Sequence, residues 1–169
     1  MTEFEEGIRA AAEMMAISAR TAPKAKGEDL IELKILYGKD IEDLGNTMVR
    51  FGEDEKEPMW KRDGNCVLKS AAVLLVGVRD PLADGSKKPP STVPNVKGDL
   101  FAEDERVKKC IDLGIALGSA AKTASLLNLD NRIMWRPGEM ARRSGLIPTA
   151  LMIIAIPISA HGKSIYFDR

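Results

Sequence analysis

Residues 18 to 27 read SARTAPKAKG, which sets Arg20, Lys24 and Lys26 around Pro23, with hydroxyls at Ser18 and Thr21 and Gly27 at the end. A phosphate needs donors and positive charge delivered at a fixed angle, and a basic turn beside a glycine can supply both. Arg20 suits a bidentate clamp on such an anion, while Lys24 and Lys26 suit adaptable point charges. The same cations also suit the last turn of a helix, where they complement the helix dipole, so both readings stay open. A second stretch, ALGSAAKTAS (116–125), places Gly118, Ser119, Ala120 and Ala121 one turn beyond Gly114. That helix surface is thin, and each glycine in it costs about 1 kcal/mol of helix stability. It asks for a close neighbour: a flat ring, or a helix of the same or a partner subunit. Lys163 and Arg169 in the basic tail could complete an anion site.

Other reactive types are sparse. His161, the one histidine, follows an apolar run in SAHGKS, with no visible partner to make it an acid or base. Cys66 and Cys110 form neither a disulfide framework nor a metal cage by spacing, and they read as small apolar residues near element boundaries. The carboxylate runs EDEKE (53–57) and EDE (103–105) read as solvated faces or helix-start charges. No phosphate-binding loop, zinc spacing or nucleophile elbow is present, and no basic patch is interleaved with aromatics for nucleic acid. No catalytic residue and no metal ligand is assigned.

Composition sets the class. The chain has 169 residues, 44% hydrophobic and 30% charged, enough to bury one core as one domain, 1–169. Twenty-five basic residues balance 25 acidic ones, so no overall field draws it to nucleic acid or membrane, and any anion site must be local. The acidic start MTEFEEGIRA has no apolar signal core, and the run ALMIIAIPIS (150–159) is too short to span a bilayer, which points to the cytoplasm.

Periodicity then supplies the elements that position these residues. Ile8, Ala11, Ala12, Met15 and Ala16 predict a helix over 5–20, ended by Pro23 and Gly27. DLIELKILYG (29–38) alternates as a half-buried strand, and 39–55 returns to helical spacing. AAVLLVGVRD (71–80) reads as a central strand, 81–100 as a Pro/Gly-rich loop insertion, and 103–127 as a long helix. DNRIMWRPGE (130–139) reads as a short strand, PGEMARRSG as a small helix, and TALMIIAIPIS as a last buried strand. Four helices and four strands in alternation give a layered α+β domain. The last strand is too apolar for an exposed edge, so a two-fold dimer is expected to bury it together with the GIALGSAA surface, the tail running across or along the partner.

Three stretches, MMAISARTAPKAKG, DLGIALGSAAKTASLLNLDNRIMWRPG and IPISAHGKSIYFDR, resemble an uncharacterised prokaryotic family described as containing a ferredoxin domain. That description implies an iron–sulfur cluster held between the VLLVGV strand and the DLGIALGSA helix. The segment there offers only Cys110, and a cluster takes about four thiolates, so none is expected. Ala22-Pro23, ELKIL, VLLVGV, IALGSA and AIPISAHGK also resemble, in order, the elements of the nitroreductase-like flavoproteins. This resemblance implies a central, mostly antiparallel sheet flanked by helices, a homodimer, and FMN at the subunit interface doing redox chemistry. Ser18, Arg20, Thr21, Lys24, Lys26, Gly118, Ser119, Lys163 and Arg169 are then the candidate contacts for FMN or another small phosphorylated ligand. The Arg-rich N-terminal motif of that family has no counterpart, and Gly27 stands where an Asn is expected. The alternative is a non-enzymatic dimeric binding or scaffold protein without cluster or flavin.

Overall fold

The first helix, α1 (Glu5–Thr21), buries Ile8, Ala11, Ala12, Met15 and Ala19, the stripe its spacing dictates. Pro23 forces Ala22 into the extended region (φ −55°, ψ 142°), and the helix stops there. A 3-10 turn, Ala25–Gly27, carries the chain into β1 (Ile31–Leu36). Then come α2 (Gly38–Asp54), α3 (Pro58–Leu68) and β2 (Ala72–Arg79). The second half contains α4 (Glu105–Leu126), β3 (Asp130–Asn131), α5 (Trp135–Arg143) and β4 (Ala150–Ser159). This computed structural model describes residues 4–83, 85 and 105–167. Most of the expected 81–100 loop lies outside the described residues, as does Arg169.

The strands form one sheet in the order β1-β2-β4-β3, antiparallel throughout. Alternation along the two central strands divides the core. Ala72, Leu74, Val76 and Val78 of β2 and Ile154, Ile156 and Ile158 of β4 meet α1 and α4 on one face. Val73, Leu75, Ile153 and Ala155 meet α2, Val67 of α3 and Met140 and Ala141 of α5 on the other. The result is a helix–sheet–helix sandwich whose middle strands are covered on both faces.

Two expectations change. Helix α3 was not anticipated: Pro58 occupies its first turn, and it lies against α2 through glycines. A Cβ on Gly45 would sit 2.6 Å from Leu68 Cγ, and one on Gly64 would sit 2.9 Å from the Gly45 carbonyl. The strand expected over 130–139 shrinks to Asp130–Asn131 and a lone bridge between Met134 and Ala155, because the chain turns helical at Trp135. Strand β4 pairs with β2 along its length and on its other edge with β3 at Ile158 and Ser159 and with Met134 at Ala155. In the tail, the Cys66 thiol donates to the Ile165 carbonyl at 3.8 Å, and the Tyr166 hydroxyl meets Ser70 at 3.0 Å.

Candidate functional site

The Ala-Pro turn is fastened to α4 by a buried ion pair. Lys109 is 1% exposed, and its ammonium donates to the carbonyls of Ala25 (3.3 Å) and Glu28 (3.0 Å) and to Asp112 Oδ2 (3.1 Å). Asp112 Oδ1 in turn accepts the Ala25 N–H at 2.8 Å. A fully buried ammonium is tolerated only when its three donors are satisfied, as here. The turn takes two successive left-handed residues, Lys26 (φ 59°), where the conformation costs energy, and Gly27 (φ 69°), where it does not.

Beside this anchor lies a cleft of about 290 Å³, lined by Pro23, Lys24, Ala25, Lys108, Ile111, Asp112 and Ile115. It opens onto an uncovered apolar face: Ile111 and Ile115 on α4 are 58% and 41% exposed, and Met14 and Ile17 on α1 are 42% and 61% exposed. Gly114 and Gly118 lie on the same face, and a Cβ added to either would meet nothing within 4 Å. Ala120, on the adjoining side of the same stretch, is buried against α1, so only the Gly114 and Gly118 strip is without a neighbour among the described residues.

The basic residues of SARTAPKAKG all have partners. Arg20 donates to Asp29 Oδ2 (2.7 Å) and the Ile31 carbonyl (2.6 Å). Lys24 caps α1, donating to the carbonyls of Arg20 (2.5 Å) and Ala22 (2.7 Å). Lys26 bonds Glu105 at 3.2 Å, as Lys108 does at 3.0 Å. Those two ammonium groups hold the Glu105 carboxyl down at about 2. Burial raises the Asp29 carboxyl, but the hydrogen bonds from Arg20 and the Ile31 N–H outweigh it and leave it below its usual value. Ser18 shares a hydrogen bond of 2.6 Å with Thr123, and Thr21 donates to the Ile17 carbonyl at 3.0 Å. The Ser119 carbonyl accepts from Thr123 at 3.2 Å.

Within one chain the structure gathers Ser18, Arg20, Thr21, Lys24 and Lys26 along α1 and its turn, with Gly118 and Ser119 farther along α4. It does not bring Lys163 to them. The turn leads into β1, whose Ile31 faces Val78, whereas the tail leaves β4 beside Ala72 at the other end of β2. His161 is exposed. Sequence reasoning passed over Lys109 and Asp112, although a Lys–Asp pair three residues apart on the buried side of an apolar helix was a signal of a buried ion pair.

Residues 106–169 match the family described as "Uncharacterized protein containing a ferredoxin domain (DUF2148)". An uncharacterized protein of Archaeoglobus fulgidus is 40% identical over 172 residues, covering 97% of this chain and 92% of that protein. The chain belongs to this family. Among solved structures, the family member described here is similar to a nitroreductase-like family protein from Bacillus cereus, with a TM-score of 0.64 at 14% identity, over 92% of this chain and 76% of that one. It is also similar to the NADPH:FMN oxidoreductase of Vibrio harveyi, solved with NAD+, with a TM-score of 0.62 at 10% identity, over 97% of this chain and 62% of that one. The fold is nitroreductase-like, as its elements had suggested.

An iron–sulfur cluster of the kind the word ferredoxin suggests does not fit the two cysteines of this member. Cys66 lies on α3 and Cys110 on α4, helices that cover opposite faces of the sheet. Burial, then the nearby Asp63 carboxylate, push the Cys66 thiol up, away from the thiolate a metal requires. No group of three or more metal-ligating side chains occurs among the described residues, and no described helix is long and apolar enough to cross a membrane.

Proposed function

We propose that this protein is a cytoplasmic, nitroreductase-like flavoprotein that binds FMN in the cleft beside the Ala-Pro turn, between two copies of the chain. The observation that carries the reading is the junction of that cleft with an uncovered face bearing two glycines whose Cβ space is empty. A flat ring finds an apolar wall in Pro23, Ile111 and Ile115, and a phosphate would reach the lining Lys24 and Lys108 by exchanging their present bonds to the Arg20 and Ala22 carbonyls and to Glu105. At about 290 Å³ the cleft is at the small end for a cofactor site, as expected of a half-site completed by a second copy. A two-fold axis crossing α4 near Gly118 would reverse the helix and bring the Lys163 end of one copy toward the turn of the other. Bound FMN would supply hydride or electron transfer, while these residues orient it and exclude water.

A second reading, a dimeric binding module without flavin, draws on the internal pairing of Arg20, Lys24 and Lys26. An absorbance scan of freshly purified protein, followed by FMN titration, separates the two. Two visible flavin bands, or saturable quenching of FMN fluorescence, support the flavoprotein. A colourless protein that leaves FMN fluorescence unchanged supports the binding module.

A further inference from the structure

The cations of the Ala-Pro turn are neutralised from within, since Glu28, Asp29, Glu105 and Asp112 lie among them. On the other side of the sheet the balance differs. Asp63 of α3 is buried, and both its oxygens are taken by guanidinium groups: Arg62 donates twice to Oδ1 (2.8 and 2.5 Å) and Arg136 of α5 donates to Oδ2 (3.1 Å). The two arginine side chains remain 39% and 34% exposed, so the hidden carboxylate fixes two forks whose outer edges face solvent. Arg132 stands nearby, donating to the Tyr166 carbonyl (2.7 Å) and stacked over Phe167 (5.1 Å). Lys69, exposed at the end of α3, acts on the same Cys66 thiol as Arg62 and Arg132. The Asp130 carboxylate acts on the neighbouring Tyr166. Among the described residues named here, four cationic side chains thus stand beside Asp63 and Asp130, in a chain whose net charge is zero.

Set among these cations are large apolar side chains in solvent: Trp135 is 59% exposed, Phe167 60% and Ile133 46%. Tryptophan and arginine together form the composition of interface hot spots, and guanidinium groups already fixed by Asp63 lose little freedom on binding. We propose that the face around Trp135, formed by the outer side of α3, the start of α5 and the tail, docks an acidic partner protein that presents carboxylates around an apolar side chain. Charge complementarity selects the partner's sign, and Trp135 with Phe167 supplies the apolar anchor.

The test uses a fluorescently labelled random copolymer of glutamate and tyrosine as a stand-in for that surface, with fluorescence anisotropy as the readout on the full-length protein. Saturable binding that weakens as salt rises is expected. Trp135→Ala and Lys69→Gln, both at exposed positions, should each weaken it, the tryptophan variant about tenfold or more. Lys122→Gln, an equal charge loss on exposed α4, should leave it unchanged, and thermal melts should show all three variants folded. Equal weakening by all three variants would reduce the effect to general charge attraction and overturn the proposal, as would absence of binding at moderate salt. Tighter binding of duplex DNA or phosphatidylserine vesicles would also overturn it. So would self-association abolished by Trp135→Ala, which would make the occupant a second copy.

Discussion

At the scale of single residues, the charges that matter most to this fold are the hidden ones. Lys109 holds the turn at Ala25 and Glu28 from inside the molecule, whereas Arg20 and Asp29 pair across a half-exposed surface (46% and 37%). Exposed pairs contribute about 0.2–1 kcal/mol, but removing one partner of a buried pair strands the other and costs about 3–5 kcal/mol. Lys109→Met should therefore destabilise the protein by that larger amount in urea titrations, and adding Asp112→Asn should recover part of the loss. A pH dependence follows from Glu139, which accepts from both Arg142 and Arg143 and is held at about 2 instead of 4.5. A carboxyl depressed in the folded state contributes stability above about pH 4.5, and that contribution is lost as pH falls through about 2. Melting temperature should fall across that window, and Glu139→Gln should flatten the fall while lowering stability at neutral pH.

At the scale of elements, close backbone approach separates what was readable from what was not. Period and punctuation placed α1, β1, α2, β2, α4 and β4 within a few residues, because each carries an apolar stripe or alternation long enough to bury. Helix α3 escaped because three glycines, Gly45, Gly52 and Gly64, let α2 and α3 pack backbone to backbone, so its apolar stripe is thin. The start of α5 was misread for a related reason: Met134 does pair with β4, and Gly138 then lies flat on the same strand. A Cβ on Gly138 would collide with the Ile153 carbonyl, which is backbone and cannot step aside. Gly138→Ala should cost about 3 kcal/mol or more, read as a large drop in melting temperature or loss of folded protein. The candidate site was half legible for the same reason. Residue types marked the turn and the glycine face, but which cations are neutralised depends on Asp29, Glu105 and Asp112, brought in from other elements.

At the scale of the whole molecule, the α1–α4 face sets the open glycines against those in the core. In an isolated chain, Gly118→Ala meets nothing among the described residues and should stabilise α4 by up to about 1 kcal/mol through helix propensity alone. If that face instead packs against a second copy, the added methyl intrudes where two helices come closest, and assembly is weakened even though each chain folds better. The same substitution thus changes sign with assembly state. Under the proposed dimer, wild type should sediment as a dimer at micromolar concentration, and Gly118→Ala should shift toward monomer with weaker FMN binding. Its thermal stability, measured at dilutions where both proteins are monomeric, should rise. If Gly118→Ala melts higher at every concentration and leaves the sedimentation of wild type unchanged, no partner approaches α4 there. The cleft would then have to hold its ligand within one chain, between the Ala-Pro turn and Ile111 and Ile115.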